Sequence, residues 1–290
     1  MKCPACGSEK FTPCILKGRL RLIRCIRCKA VMLENPQETF NVSNYDYYKE
    51  RLGFSKDQLY SALTGKRYTA LLLGLNKYRT YNRLLDIGCG EGQFLLKAGE
   101  LKWKAAGTEI APYAVMIARR MGLEVAETDF LDLQVEKGSL DIVTMFEVLE
   151  HLTRPLEYLN KVNQSLRIGG ALIITTPNFD SLTRRVLNER WRAINSEHLF
   201  YFTPSSLKRM LETCGFRQVA VRVKNISLPE LFTLFNKDTQ KMRERTQDLR
   251  CALEQNAVLG ACKSMLNLLL NMTGSGETID CIFEKVSEPL

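Results

Sequence analysis

LLDIGCGEGQFL, residues 84–95, runs from an apolar stretch into three glycines at alternate places and then into helical spacing. It reads as a strand, a sharp bend through Gly88, Gly90 and Gly92, and the opening of a helix. Glycine lets such a bend take left-handed conformations and lets the backbone approach a ligand closely. The helix start beyond it offers free N–H groups and a positive dipole end. Downstream, short apolar runs alternate with helical patterns. RLLDIG, KAAGTEI, LEVAET, LDIVTMF and GALIITTP read as strands. GQFLLKAGELK, APYAVMIARRM and TPSSLKRMLETCG read as helices, with Pro112 in one first turn and Gly215 past one last turn. FRQVAVRVKNI and ETIDCIFEKV bring the strands to seven, which implies an α/β fold with a doubly wound, mostly parallel sheet.

Glu109 ends the second strand, twenty-one positions after Gly88. A carboxylate there can accept both hydroxyls of a ribose. The bend is G-x-G-x-G, with Gln93 where a dinucleotide fingerprint has its third glycine, which weakens a nicotinamide reading. Asp129, in ETDFLDL after the third strand, suits an adenine amino group, and Phe130 beside it is placed to pack on the base.

These motifs, in this order, resemble the class I S-adenosylmethionine-dependent methyltransferases over residues 83–285. LLDIGCGEG matches the family's cofactor loop, GTEIAP its ribose acid, ETDFLD its adenine-side acid, DIVTMFEVLEHL its fourth motif and LRIGGALIITTPN its fifth strand. The resemblance implies a Rossmann-like seven-stranded sheet and S-adenosylmethionine as cofactor. Glu109 would face the ribose and Asp129 the adenine, with Gly88 and Gly90 on the amino-acid half and Asp86 near its amino group. Cys89, Gly92, Ile110, Phe130 and Phe146 complete the expected cofactor set.

MFEVLEHL, residues 145–152, follows the fourth strand and so lies at the carboxyl rim where such sheets bind ligands. If Glu147 opens a helical turn, Glu150 and His151 share its face. Three readings stand. His151 is a general base near neutral pH; or Glu147, Glu150, His151 and a downstream His198 hold a divalent ion such as magnesium; or Glu150 and His151 serve only to cap the helix or contact the cofactor edge. The E-x-x-E-H spacing resembles ubiquinone-pathway catechol O-methyltransferases and small-RNA 2′-O-methyltransferases.

Cys3 and Cys6 (CPAC) and Cys25 and Cys28 (CIRC) form two C-x2-C knuckles eighteen residues apart, the spacing of a structural zinc site. Residues 1–35 read as a zinc ribbon with a hairpin turning near Gly18. Residues 36–82 read as linker and helices, and 83–290 as the catalytic domain, with 228–272 a helical insertion before the last strand that would serve as lid or dimer surface.

The chain has 290 residues, ten cysteines and a net charge of +9. Residues 84–180 are net acidic and the flanking segments net basic, which favours an anionic partner such as a nucleotide-linked sugar or RNA. MKCPACGSEK lacks the apolar run of a secretory leader, and no greasy stretch is long enough for a membrane span. These features predict a cytoplasmic enzyme with a small-molecule or glycan acceptor. Its expected product is an O-methylated hydroxyl. RNA methylation and a non-catalytic cofactor-binding partner protein are the alternatives.

Overall fold

A computed structural model describes residues 2–35, 49, 51–53, 62–226 and 257–289. It divides into two compact units, one from residues 1–39, 176–207 and 221–280 and one from 40–175, 208–220 and 281–290. Residues 36–48, 54–61 and the 228–256 part of the expected insertion lie outside the described residues.

The first unit opens with β1 (Phe11–Lys17) and β2 (Leu20–Cys25), an antiparallel hairpin in which Lys17 pairs with Leu20. Gly18 makes its two-residue turn at φ +57°, where a side chain would be strained. β3 (Val31–Leu33) and β9 (Phe200–Tyr201) extend it into a four-stranded sheet of order β1-β2-β3-β9. The helix at Ala257–Met272, α7, and the short helix at Leu182–Leu187, α5, also belong to this unit.

The second unit begins with α1 (Ala62–Leu75) and alternates as expected. Its elements are β4 (Arg83–Ile87), α2 (Gln93–Glu100), β5 (Lys104–Glu109), α3 (Pro112–Arg120), β6 (Glu124–Glu127), β7 (Leu140–Phe146) and α4 (Pro155–Ser165). β8 (Leu166–Pro177), α6 (Pro204–Thr213), β10 (Phe216–Lys224) and β11 (Thr278–Lys285) complete the chain. The seven-stranded sheet has the order β10-β11-β8-β7-β4-β5-β6. β4 is parallel to both β5 and β7, and β7 to β8. Apart from Arg83 at the start of β4 and Phe146 at the end of β7, the residues of both strands are buried, which explains why they are mostly apolar. Leu84, Phe94, Leu95, Val115, Ile142 and Ile173 meet in the core beneath.

The chain leaves β4 toward β5 and β6, then crosses back to β7 on the other side. The order therefore reverses between β4 and β7, and the crevice beyond their carboxyl ends is where such sheets bind ligands. No helix among the described residues is long and apolar enough to cross a membrane.

Candidate active site

Gly88, Gly90 and Gly92 all take left-handed backbone conformations, at φ +67°, +53° and +80°. The Gly88 and Cys89 amides both donate to the Thr108 carbonyl, at 2.8 and 3.0 Å, so the bend folds back over the end of β5. A Cβ on Gly88 would lie 2.6 Å from Val148 Cγ2, and one on Gly92 2.3 Å from Leu123 Cδ1. The glycines are needed for close packing as well as for their torsions. Cys89 corrects the expectation for it: its thiol is buried in the core against Gly107, so only its backbone belongs to the loop.

Glu109 holds the loop from the next strand. Its Oε2 accepts from the Gly90 amide at 2.8 Å, and its Oε1 from Ile110 and Ala111 at 2.8 and 2.9 Å. Ile110 beside it is 49% exposed, an apolar surface at the strand end. Asp129 is engaged as well. Its Oδ1 accepts from the Leu131 amide and its Oδ2 from the Tyr158 hydroxyl at 2.5 Å. Phe130 departs from expectation. At 1% exposure it packs against Tyr158 under Lys161, leaving no face for a base.

On the floor of the crevice, Asp86 of β4 and Thr144 of β7 stand opposite in register, and the threonine hydroxyl donates to Asp86 Oδ1 at 2.6 Å. Burial pushes the Asp86 carboxyl up to about 7; the Thr144 bond opposes this and the charge of Glu109 adds to it. Phe146 meets Phe94 edge to face and Tyr68 at a tilt, at centroid distances of 4.9 and 5.7 Å.

The turn after β7 is not the single helical face expected of it. Glu147 sits at φ +55°, exposed, with its amide donating to the Thr175 carbonyl at 2.9 Å. A short 3-10 turn begins only at Leu149 and carries Glu150, which is buried, and His151, which is half-buried. Among the described residues, Glu147, Glu150 and His151 do not converge as a three-ligand set, because the left-handed Glu147 stands outside the turn. Glu150 and His151 of the expected set keep ligand atoms within 4.8 Å of one another.

Residues 58–221 match the model of a family described as a methyltransferase domain. The chain belongs to that family. The ubiquinone biosynthesis O-methyltransferase of Xanthomonas oryzae pv. oryzae is 35% identical over 103 residues, 33% of this chain and 43% of that protein. The enzyme of the same name from Nitrosococcus oceani is 32% identical over 103 residues, 33% of this chain and 44% of that one. The chain thus spans less than half the length of these curated relatives. A SAM-dependent methyltransferase structure from Archaeoglobus fulgidus shares the fold, at 21% identity and a TM-score of 0.53 over 83% of this chain and all of that one.

The methyltransferase loop fits a sulfonium nucleoside on this structure's own terms. Three left-handed glycines after β4, a carboxylate ending β5 and another just past β6, an exposed Ile110 and a buried Asp86 lie at the carboxyl ends of adjacent strands. Three further side chains of the methyltransferase site gave no signal in sequence. Tyr158 reaches Asp129 from α4, and Thr144 is an ordinary strand residue. Tyr68 of α1 lies within the electrostatic reach of Asp86 and Glu147, with its hydroxyl pushed up chiefly by burial. The segment before α1 also touches the loop, where Arg51 Nη2 donates to Glu91 Oε2 at 2.8 Å.

In the first unit the four knuckle cysteines converge, with all ligand atoms within 4.8 Å of one another. Cys3 and Cys28 Sγ are 3.4 Å apart, and those of Cys6 and Cys25 3.5 Å. Sulfurs around a tetrahedral zinc lie about 3.8 Å apart, so a small inward ion fits with little movement. The two knuckles have one shape. Cys3 O accepts from the Gly7 amide at 2.8 Å and Cys25 O from Lys29 at 3.0 Å, and both donors are left-handed. His198 lies before β9, with its amide donating to Asn195 Oδ1 at 3.0 Å and its ring 6.2 Å from that of Tyr201.

Proposed function

We propose that the protein transfers a methyl group from S-adenosylmethionine to a hydroxyl of a small molecule or sugar. The observation that carries this reading is the contact of Gly88 with Val148, which sets the turn bearing His151 against the glycine loop at the switch point. Relatives 32–35% identical over 103 residues, named as O-methyltransferases, support the choice of oxygen as acceptor.

When bound, the cofactor supplies a methyl group activated by a positively charged sulfur. Gly88, Gly90 and Gly92 would give it a close backbone cradle, Glu109 and Asp129 would bind its ribose and adenine sides, Ile110 would cover the base, and Asp86 would serve its ammonium group. His151 would take the proton of the acceptor hydroxyl, the role of a general base. Methyl transfer is an in-line displacement, so the remaining demand is alignment. Glu150 is the next candidate for orienting the acceptor. Cys3, Cys6, Cys25 and Cys28 hold a structural zinc ion.

The test is a labelled-donor screen of catechols, nucleotide sugars and RNA, with and without magnesium. Label should appear on a small-molecule oxygen, and His151→Ala should lower kcat roughly 100-fold or more while leaving donor affinity intact. Label confined to RNA or to nitrogen, or full activity in His151→Ala, would refute the assignment.

A further inference from the structure

We infer that the four-cysteine centre is a positioning device for the segment carrying His198, so that metal loading sets the order of residues 196–203. The inference rests on reading the cysteines as a zinc site, and goes beyond it by giving that site a target.

The connection can be followed residue by residue within the first unit. Cys28 closes the second knuckle, Lys29 makes its left-handed turn, and the Ala30 carbonyl accepts from the Cys25 amide at 2.8 Å. β3 begins at the next residue. It is three residues long and pairs antiparallel with β9, Val31 opposite Tyr201 and Met32 opposite Phe200. The Leu33 amide adds a bond to the Leu199 carbonyl at 3.0 Å. From Tyr201 the hydroxyl donates to the Asn195 carbonyl at 3.4 Å, and the Asn195 side chain accepts from the amides of Glu197 and His198 at 2.8 and 3.0 Å.

A second clasp comes from the hairpin. Lys17 Nζ donates to the carbonyls of Trp191 and Ile194, at 3.1 and 2.6 Å. Arg24 of β2 lies 5.7 Å from the centroid of the Phe179 ring, which in turn meets Trp191 and Tyr201. The ribbon therefore forms one sheet with the segment that follows β8. About thirty residues joined to β9 through a three-residue inner strand cannot hold that sheet by burial alone, so metal binding supplies its folding energy. Loss of the ion releases β3 first and β9 with it.

The test is hydrogen exchange of the full chain, zinc-loaded and after chelation, with metal analysis of both samples. Chelation should speed amide exchange in residues 31–33 and 196–203 by roughly tenfold or more, while β4 and β7 amides stay protected. Cys28→Ser should reproduce the chelated pattern. Lys17→Met should keep one zinc per chain yet speed exchange around 191–198, a result that does not depend on the knuckles folding. Unchanged exchange at 196–203 after the metal has gone, or an equal rise in β4 and β7, would overturn the inference. Purified protein without zinc would overturn the zinc reading itself.

Discussion

The Gly90 amide donates to Glu109 Oε2 at 2.8 Å, so the carboxylate ending one strand fastens the glycine loop that leaves its neighbour. With Ile110 and Ala111 on the other oxygen, this single side chain orders both the loop and the start of α3. A charged acceptor with three N–H donors is a strong arrangement. Glu109→Ala should cost about 2–3 kcal/mol in stability and weaken S-adenosylmethionine binding at least tenfold. Chemical denaturation and calorimetric titration would measure both, and unchanged donor affinity would sever the carboxylate from the cofactor site.

Gly88 combines a φ of +67° with Val148 Cγ2 where its Cβ would go, 2.6 Å away. Gly88→Ala should destabilise by about 2–4 kcal/mol. Adding Val148→Ala removes the clash but not the torsional strain, so the double variant should recover about 1 kcal/mol or more. A double variant no more stable than Gly88→Ala alone would show that the contact is not the cause.

Asp86 gives the protein a pH signature. Its folded-state carboxyl titrates at about 7, against an ordinary value of 3.8, because burial disfavours the charge. The folded chain therefore holds the proton more tightly than the unfolded chain. The resulting stability is fully present below about pH 4 and is lost as pH rises through 7. Asp86→Asn should flatten this part of the stability profile. Donor binding should strengthen from pH 6 to 8 as the carboxylate ionises to meet an ammonium group. Affinity independent of pH in that window would remove Asp86 from the amino-acid end.

Tyr158 is a supporting residue. Tyr158→Phe deletes the hydroxyl on Asp129 Oδ2 while keeping the ring against Phe130. A loss of about 1 kcal/mol in stability is expected, with a several-fold weaker donor affinity that adenosine alone reproduces. Weakened methionine binding with normal adenosine binding would place Asp129 elsewhere.

Much of the fold was readable because its central strands are buried on both faces. The runs in β4 and β7 are mostly apolar, and glycines and a proline mark where strands and helices meet. The cysteine spacing likewise announced two matching knuckles. What stayed hidden depends on tertiary contacts. β3 and β9 are three and two residues long, too short for any periodicity, yet they join the ribbon to the segment bearing His198. Tyr68, Thr144 and Tyr158 look like ordinary helix and strand residues until the fold brings them to the crevice. Glu147 gave no warning of its left-handed backbone because it is not glycine, and so it stands apart from Glu150 and His151. Phe130 and Cys89 stood in the expected motifs, but burial of their side chains took them out of the binding surface.

The most direct measurement is calorimetric titration of the purified chain with S-adenosylmethionine and, separately, with NAD. One molecule of S-adenosylmethionine should bind per chain, with Glu109→Ala markedly weaker and NAD giving no saturable heat. Tight binding of NAD instead, or no binding of S-adenosylmethionine by a well-folded protein, would contradict the account.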